Sequence, residues 1–323
     1  MNYTFILGAH KSGSSFLRSL LDYSIPNTVV IPIETHPFKV TGVLNGWDQS
    51  QFQENTRSWI LLNNEQKDSN YGGNYGFDLF DKRTLEKILS EPLISEKKDD
   101  EILKLYFDLI CQSLKSKPEI IEHIIEKSTD NHLYAKRLSV FFPNAKFIHL
   151  VRNPYSNLVS LRRYHKKIFN KSRPEKSINI ISDSFVLASQ NSQTIGSRYL
   201  IVRYEDLLQD PARWMRIVAN HIDVNFSDLM LNPTVQGTHW GGNSTREKTI
   251  AGIGDINEGQ WRSDISEFEI ALVNKVLKKY VELHRYDLLD VKSHKVLIPN
   301  QNENFYDYLK NRYLLLKSRP VSF

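Results

Sequence analysis

The sequence predicts an α/β domain in three layers, with a mostly parallel central sheet between flanking helices. Three stretches each run from a short apolar, strand-like segment through a turn into apolar residues at helical spacing. They are NYTFILGAHKSGSSFLRSLL, KFIHLVRNPYSNLVSLRRYH and YLIVRYEDLLQDPARWMRIV. Repeated strand–turn–helix units favour a parallel sheet, because parallel strands need a crossover connection between them.

Composition limits the class of protein. The 323 residues are 40% hydrophobic, enough for a large core, and we expect one domain over residues 1–323. The formal net charge of +5 is compatible with an anionic ligand but is too small to indicate nucleic acid. No nucleic-acid-binding motif is present, so no nucleic-acid partner is expected.

The single cysteine and the apolar segments indicate which structural sites and which cellular location to expect. Cys111 is the only cysteine, which excludes an internal disulfide and a cysteine-ligated structural zinc site. The chain enters a strand-like run at once, and no apolar stretch approaches eighteen residues. We therefore expect a cytoplasmic protein without a transmembrane segment.

The loop after the first strand is the main candidate for a binding site. Gly8 and Gly13 bracket a polar loop, and apolar residues from Phe16 onward recur at helical spacing. Ser14 or Ser15 is expected to cap the helix that follows. Such a loop directs backbone N–H groups and the positive helix end toward one point, which suits a phosphate, although an ordinary strand-to-helix turn looks similar.

The glycine spacing matches that of the nucleotide-hydrolase loop G-x-x-x-x-G-K-[ST], but the cation is displaced. Ser14 stands where that motif has its lysine, and Lys11 lies three residues earlier. A lysine inside the loop indicates another task, in which its charge stabilises a bridging oxygen that becomes the leaving group, without a metal ion.

The second strand is predicted over residues 28–33, in the run TVVIPI. It would deliver Glu34 and His36 to the edge where parallel strands end, which is where ligands gather in open α/β sheets. A carboxylate and an imidazole are both suitable general bases for an acceptor hydroxyl. The alternative is a solvated loop whose polar groups only stabilise the turn.

Residues from about 42 to 98 are rich in Asn, Gln, Gly and charge. They are predicted to form an irregular acceptor-side insertion, with loops and one or two short helices. Trp47, Trp59, Tyr71 and Tyr75 can line an acceptor pocket there, but scattered aromatic residues also serve local packing.

A second anion site is predicted after the strand KFIHLV. Arg152 leaves the end of that strand, Pro154 can begin the next helix, and Ser160 follows eight residues after Arg152. A guanidinium at a strand end and a hydroxyl on the next helix can hold a phosphate together. Arg162 and Arg163 add positive potential nearby.

These motifs resemble those of the sulfotransferases, which transfer a sulfuryl group from 3′-phosphoadenosine 5′-phosphosulfate (PAPS). HKSGSSFLRSLL is similar to their 5′-phosphosulfate loop, and Arg152 with Ser160 is similar to their 3′-phosphate motif. The resemblance implies the P-loop-like sulfotransferase fold, and it implies that the donor is bound by the loop residues Lys11, Ser12, Gly13, Ser14, Ser15 and Phe16.

The resemblance also implies catalytic roles. In tyrosylprotein and several bacterial sulfotransferases a glutamate at the end of the second strand is the base, and Glu34 occupies a similar place. His36 and His132 remain alternatives, because phenol sulfotransferases use a histidine. Lys127 lies in a segment similar to the Lys-Asp-Pro or Lys-Thr-Pro of the family, which implies a second cation at the sulfuryl group. The aspartate and proline are absent here, and a solvated lysine is the alternative.

Later motifs of the family also have counterparts. Tyr204 lies in a Tyr-Glu-x-Leu segment and is implied to approach the adenine. Ser244 and Thr245 lie in a glycine-rich segment that is implied to fold over the nucleotide. Gln260 departs from the pattern, because the family often has a basic residue before the tryptophan. A helical tail is predicted from about residue 295 to 323.

The implied reaction is sulfuryl transfer from PAPS to an acceptor hydroxyl, releasing adenosine 3′,5′-bisphosphate and requiring no metal. The lack of a membrane anchor in the sequence favours a small molecule or a carbohydrate as the acceptor. Two other functions are also compatible with these residues: a P-loop kinase-like phosphotransferase, and a noncatalytic nucleotide-binding protein. The sequence predicts neither the acceptor's identity, nor whether oxygen or nitrogen is sulfated, nor the oligomeric state.

Overall fold

Five parallel strands form the central sheet of the computed structural model, which describes residues 1–65, 79–92, 94–242, 252–253, 259–291, 310 and 313–320. The strands are β1 (Asn2–Gly8), β2 (Thr28–Val30), β3 (His123–Lys127), β4 (Lys146–Val151) and β5 (Tyr199–Arg203). Their order across the sheet is β2-β3-β1-β4-β5. The predicted parallel α/β sheet is therefore confirmed.

Helices cover the sheet and connect its strands. They are α1 (Ser14–Leu21), α2 (Pro37–Thr41), α3 (Gln49–Glu65), α4 (Lys82–Leu89), α5 (Asp99–Ser113), α6 (Asn131–Phe141), α7 (Pro154–Phe169), α8 (Pro174–Ile195), α9 (Tyr204–Gln209), α10 (Pro211–His221) and α11 (Glu267–Leu283). A small antiparallel pair, β6 (Thr234–Val235) and β7 (Thr238–His239), follows α10.

Alternate side chains of β1 point to opposite faces of the sheet, and each face is covered by its own layer of helices. Phe5 and Leu7 belong to a core shared with α5 and α6, whereas Ile6 belongs to a core shared with α1 and α10. Successive strand residues point to opposite faces, so an apolar run of this kind needs a helical layer on each side. A third core joins α7, α8 and α11, and Trp261 is buried in it. The three-layer arrangement is thus confirmed.

The strand register brings several loops to one edge. Ile6 is paired with Lys127 across β1 and β3, and Gly8 is paired with Leu150 across β1 and β4. The loops that leave β1, β3 and β4 therefore start side by side at the carboxyl edge. This is the edge at which open parallel sheets bind their ligands.

The second strand is shorter than the sequence predicts. It ends at Val30 rather than at Ile33, although the Ile31 amide still donates to the Ile125 carbonyl at 2.9 Å. Pro32 follows and has no N–H to donate to the ladder. The chain beyond it is irregular, and it carries Glu34 to the edge of the sheet.

The range 42–98 is more helical than predicted. It contains α3 and α4 among its described residues, and α3 has 17 residues.

At the other end of the chain, residues 313–317 are helical, and Leu314 and Leu315 pack against the third core. Within the described ranges, no helix has both the length and the apolar character needed to cross a bilayer.

Candidate active site

The backbone of the loop between β1 and α1 is suited to binding an anion. Gly13 precedes α1 with φ +98°, in the left-handed region, and contributes no side-chain cap. Ser14 and Ser15 lie inside the first turn of α1, so the prediction that one of them caps the helix is wrong. Their N–H groups belong to the first turn, which has no carbonyl one turn earlier to bind them.

Two further features of this loop suit it to binding a polar ligand. A Cβ on Gly13 would lie 2.2 Å from Cδ2 of Tyr204, so only glycine permits this close approach. The hydroxyl of Ser12 is buried and has no hydrogen-bond partner among the described residues. A buried polar atom without a partner is costly, so the Ser12 hydroxyl fits a role in binding a polar ligand.

Three separate elements hold the loop in place. The Ala9 amide donates to Oγ of Ser184 in α8 at 3.1 Å. In α7, Nδ2 of Asn157 donates to the His10 carbonyl at 2.9 Å. Nη1 of Arg152 donates to the carbonyl of Lys11 at 3.0 Å. With several groups fixed by tertiary contacts, the loop is preorganised for binding.

Lys11 brings a cation into this loop. Its Nζ lies 5.0 Å from the ring centroid of Tyr164, within the range of a cation–π contact. Burial lowers the pKa of Lys11 to about 8, and the positive charges of Lys127 and Arg152 contribute, against the opposing effect of Glu34.

Arg152 and Tyr204 meet beside Gly13. The guanidinium carbon of Arg152 lies 4.8 Å from the centroid of the Tyr204 ring. The edge of that ring also contacts Phe16, with the centroids 6.1 Å apart and the planes at 89°. The predicted donor-binding residues of the loop are therefore contiguous with Arg152 and Tyr204.

Ser160 lies on the face of α7 that meets the loop. Asn157 and Tyr164 both contact loop residues, and Ser160 is three positions after the first and four before the second. Residues at these spacings share one face of a helix. Asn153 caps α7 through bonds from the amides of Tyr155 and Ser156, and Pro154 begins it as predicted.

Glu34 is the centre of a polar cluster at the ends of β2 and β3. Its Oε1 forms an ion pair with Nζ of Lys127, a side chain that is only 1% exposed. Its Oε2 accepts a hydrogen bond from Oγ1 of Thr129 at 3.0 Å and lies 3.3 Å from Nε2 of His36. Nδ1 of His36 lies 2.6 Å from Oδ1 of Asp130.

These contacts set the charges of the cluster. Burial alone would raise the pKa of Glu34, but Lys127, His36 and His10 outweigh it and hold that pKa well below its usual range. Burial likewise opposes the charge on His36, yet its bonds to Asp130 and Glu34 raise its pKa to about 9. At neutral pH, Glu34 is therefore a carboxylate and His36 an imidazolium.

The remaining candidates lie elsewhere. His132 is buried in α6, where its ring lies 5.9 Å from that of His149 and its carbonyl accepts from Asn191. Ser244 and Thr245 lie outside the described residues, as do Tyr71 and Tyr75. The predicted positive potential of Arg162 and Arg163 is offset, because they form ion pairs with Glu269 and Asp264.

The two tryptophans of the acceptor-side segment have different surroundings. The indole of Trp47 packs where a Cβ on Gly42 would lie, so it serves local packing. Nε1 of Trp59 donates to the Glu34 carbonyl at 2.8 Å, and its ring stands edge-on to His36, with centroids 5.3 Å apart. Trp59 therefore borders the cluster.

Sequence reasoning missed four residues of this site: His10, Thr129, Asp130 and Tyr164. Oγ1 of Thr129 lies 3.0 Å from Nε2 of His10, 119 positions away in the chain. The only local signal was that Thr129 and Asp130 directly follow Lys127 at a strand end. Among the described residues, no group of three or more His, Cys, Asp or Glu side chains is arranged to hold a metal ion.

Curated relatives match part of the chain. Omega-hydroxy-beta-dihydromenaquinone-9 sulfotransferase Stf3 of Mycobacterium bovis is 29% identical over 109 residues, which are 31% of this chain and 28% of that protein. The protein of the same name from Mycobacterium tuberculosis matches to the same extent. The match thus spans about 28% of the length of these relatives.

Solved structures share the fold. The sulfotransferase domain of the Synechococcus PCC 7002 olefin synthase aligns with a TM-score of 0.51 at 21% identity, over 90% of this chain and 96% of that one. The sulfotransferase domain from the curacin biosynthetic pathway gives a TM-score of 0.53 at 15% identity, over 88% and 98% of the two chains. A family model described as "Sulfotransferase family" matches residues 4–228, more than half of the 323. Strands β2 to β5, nearly all of β1, the loop between β1 and α1 and the Glu34 cluster fall within that match. The chain belongs to the sulfotransferase family.

Proposed function

We propose that the chain transfers the sulfuryl group of PAPS in line to an acceptor hydroxyl and releases adenosine 3′,5′-bisphosphate. One observation carries this proposal: Lys127 and Glu34 form an ion pair at the same sheet edge as the anion-binding loop that contains Lys11. A carboxylate base and two cations are thus available around one reacting centre.

The residues of the loop fit the donor. Gly13 packs directly on Tyr204, and the Ser12 hydroxyl is buried without a partner among the described residues. The amides of Ser14 and Ser15 begin α1 and have no carbonyl one turn earlier, whereas the Phe16 amide donates to the Gly13 carbonyl at 2.9 Å. These groups would bind the 5′-phosphosulfate. PAPS supplies an activated sulfuryl group with a phosphate as its leaving group.

Lys11 and Lys127 would stabilise the negative charge that develops on the bridging and peripheral oxygens during transfer. Arg152 and Ser160 would bind the 3′-phosphate, and Tyr204 would lie near the adenine. Arg152 contacts both Tyr204 and the backbone carbonyl of Lys11. A direct contact therefore joins the proposed 3′-phosphate site to the loop proposed for the 5′-phosphosulfate.

Glu34 is the better candidate for the base. Both ring nitrogens of His36 lie near carboxylate oxygens, and a pKa of about 9 keeps its ring protonated at neutral pH. An imidazolium has no lone pair with which to accept a proton. Glu34 would accept the acceptor's proton as the new S–O bond forms and the S–O bond to the phosphate breaks.

A small-molecule alcohol is the proposed acceptor class. The mycobacterial relatives are named for a hydroxylated menaquinone derivative, which supports an acceptor of this class. The Trp59 ring borders the Glu34 cluster, and the Tyr164 ring lies against His10 and Lys11 of the loop after β1. Both rings would contact an apolar acceptor. A carbohydrate is the competing acceptor class, and the turnover screen below includes it.

The nucleotide site can be tested by calorimetry. Wild-type protein is expected to bind adenosine 3′,5′-bisphosphate at least about tenfold more tightly than AMP, since a charge-assisted bond to the 3′-phosphate contributes about 1.5–3 kcal/mol. Arg152→Ala should abolish that preference. Arg216→Ala is the matched control, because Arg216 also stacks on an aromatic ring, that of Phe226, but on α10.

Turnover is the second test. PAPS is incubated with panels of aliphatic alcohols, phenols and sugars, and bisphosphate release is measured. Transfer to a small alcohol, lost in Glu34→Gln, supports the proposal. Equal binding of bisphosphate and AMP by folded protein would refute the donor assignment, and bisphosphate binding without turnover would favour a noncatalytic nucleotide-binding protein.

A further inference from the structure

Thr129 connects the donor loop to Glu34. Its Oγ1 lies 3.0 Å from Oε2 of Glu34 and 3.0 Å from Nε2 of His10. His10 belongs to the loop after β1, Thr129 follows β3, and Glu34 follows β2. One side chain therefore bridges the three segments that form the site.

The direction of both hydrogen bonds follows from the carboxylate. An ionised Glu34 can only accept, so the single hydroxyl hydrogen of Thr129 is donated to it. The Thr129 oxygen must then accept from His10, so Nε2 of His10 carries a hydrogen. His10 is neutral at pH 7, because burial, reinforced by Lys127 and opposed by Glu34, lowers its pKa to about 4.

His10 is itself held in position. The backbone carbonyl of His10 accepts a hydrogen bond from Asn157, and the His10 ring stacks on Tyr164 with centroids 6.2 Å apart and planes at 20°. The neighbouring Lys11 places its ammonium group over the same Tyr164 ring. A shift of the donor loop would therefore move His10, and with it the hydrogen bond that orients Glu34.

We propose that His10 is a positioning residue, which acts through Thr129 to orient the Glu34 carboxylate and to couple it to the donor loop. This inference rests on the proposed function. The proton of the acceptor still goes to Glu34, and neither His10 nor Thr129 takes a net proton. Their contribution is a two-bond chain that stabilises the carboxylate and fixes the direction of Oε2.

The tautomer of His10 gives a test that needs no turnover. In nitrogen-15 NMR spectra of the labelled full chain, one neutral histidine should show a protonated Nε2 and a bare Nδ1, and it should not titrate above about pH 5. His10→Gln identifies that signal by its loss. A His10 signal with the hydrogen on Nδ1, or one that titrates near pH 6.5, would overturn the proposal.

Paired variants test the role in catalysis. Thr129→Val removes the hydroxyl while keeping the shape, and His10→Phe keeps a ring for Tyr164 but has no donor. Thr129→Val should lower kcat about 10- to 100-fold, as expected for a lost hydrogen bond to a charged group. His10→Phe should lower it about 2- to 10-fold, because its bond to the Thr129 hydroxyl joins two neutral groups. Thr129→Ser and His10→Gln, which retain a donor, should recover most of that loss.

The pH profile separates positioning from general damage. Loss of the Thr129 bond, which Glu34 accepts as a carboxylate, should raise the pKa of Glu34 and move the acid limb of kcat/KM upward. Lys127, His36, His10 and Lys11 also face Glu34, so these groups stay unchanged in the Thr129 pair. Bisphosphate affinity of Thr129→Val should stay near that of wild type.

The outcomes distinguish this inference from the proposed function. If wild-type protein fails to turn over PAPS, the function is wrong, but the NMR spectrum still reports whether the His10–Thr129 bond exists. If wild type turns over PAPS while Thr129→Val and His10→Phe keep its rate and acid limb, the function stands and the positioning role is refuted. Losses that add fully in the double variant would also count against a shared chain.

Discussion

Lys127 and Glu34 form an ion pair although 93 positions separate them in the chain. The side chain of Lys127 is 1% exposed and that of Glu34 is 28% exposed, so the carboxylate faces the solvent side of the pair. The open side of Glu34 is where an acceptor would approach. The buried lysine therefore supports the carboxylate from beneath, and the contact with a sulfuryl oxygen is its proposed second role.

Replacement of Lys127 should impair catalysis strongly. Lys127→Met removes the charge at nearly constant length, and kcat should fall by about 10²- to 10³-fold, as for other lost groups that stabilise a transition state. The acid limb of the pH profile should move upward, because Lys127 lowers the pKa of Glu34. Steady-state kinetics over pH check both effects. Lys104→Met is the control, since Lys104 pairs with Asp100 on the exposed side of α5, and it should leave kcat unchanged.

Gly13 should not tolerate a side chain. Gly13→Ala combines a left-handed φ of +98° with a Cβ 2.2 Å from the Tyr204 ring. We expect bisphosphate binding to be lost and the protein to be destabilised by more than about 2 kcal/mol. Gly46→Ala is the matched control, because Gly46 has φ +63° but no atom within 4 Å of its Cβ position. It should cost about 1 kcal/mol in urea unfolding and leave binding intact, so equal effects of the two variants would contradict this account.

His36 should make stability depend on pH in a defined window. The folded-state pKa of about 9 lies above the ordinary 6.5, so its contribution is complete below pH 6.5 and is lost as pH rises through about 9. The free energy of unfolding should decrease over that window by up to about 3 kcal/mol more in wild type than in His36→Gln. Urea titrations of both proteins at pH 6, 7.5 and 9 measure the difference. Parallel pH curves for the two proteins would show that His36 is not charged in the fold.

Ser184 should matter for the donor loop although it lies on α8. Ser184→Ala leaves the amide of Ala9 without its acceptor and Nε2 of the buried His149 without its partner at 2.8 Å. The variant should be destabilised by about 1–3 kcal/mol and should bind the bisphosphate more weakly. Ser182→Ala is the control on the same helix, because the Ser182 hydroxyl donates to the carbonyl of Ile178 one turn earlier within α8. Thermal unfolding and calorimetry of the two variants test this. A Ser182 effect as large as that of Ser184 would indicate a general effect on α8 instead.

Local patterns predicted the secondary structure around the loop between β1 and α1 well. The strand, the glycine loop and the helix at residues 2–21 follow from apolar periodicity and glycine spacing, and α7 begins at Pro154 as expected. The predicted serine cap failed, because Gly13 takes the left-handed position before α1 and moves Ser14 and Ser15 into the helix. A preference for capping cannot be assigned to a position until the backbone of the loop is known.

The sequence by itself determined the strand–turn–helix units, their glycine and proline boundaries and the family resemblance, since these depend on residues close together in the chain. Only the tertiary structure decided that Glu34 meets Lys127, that Thr129 links it to His10, and that His36 is held between two carboxylates. These contacts follow from the strand order β2-β3-β1 and its register. Hydrophobic periodicity specifies which face of a strand is buried, but it carries no information about which strand becomes its neighbour.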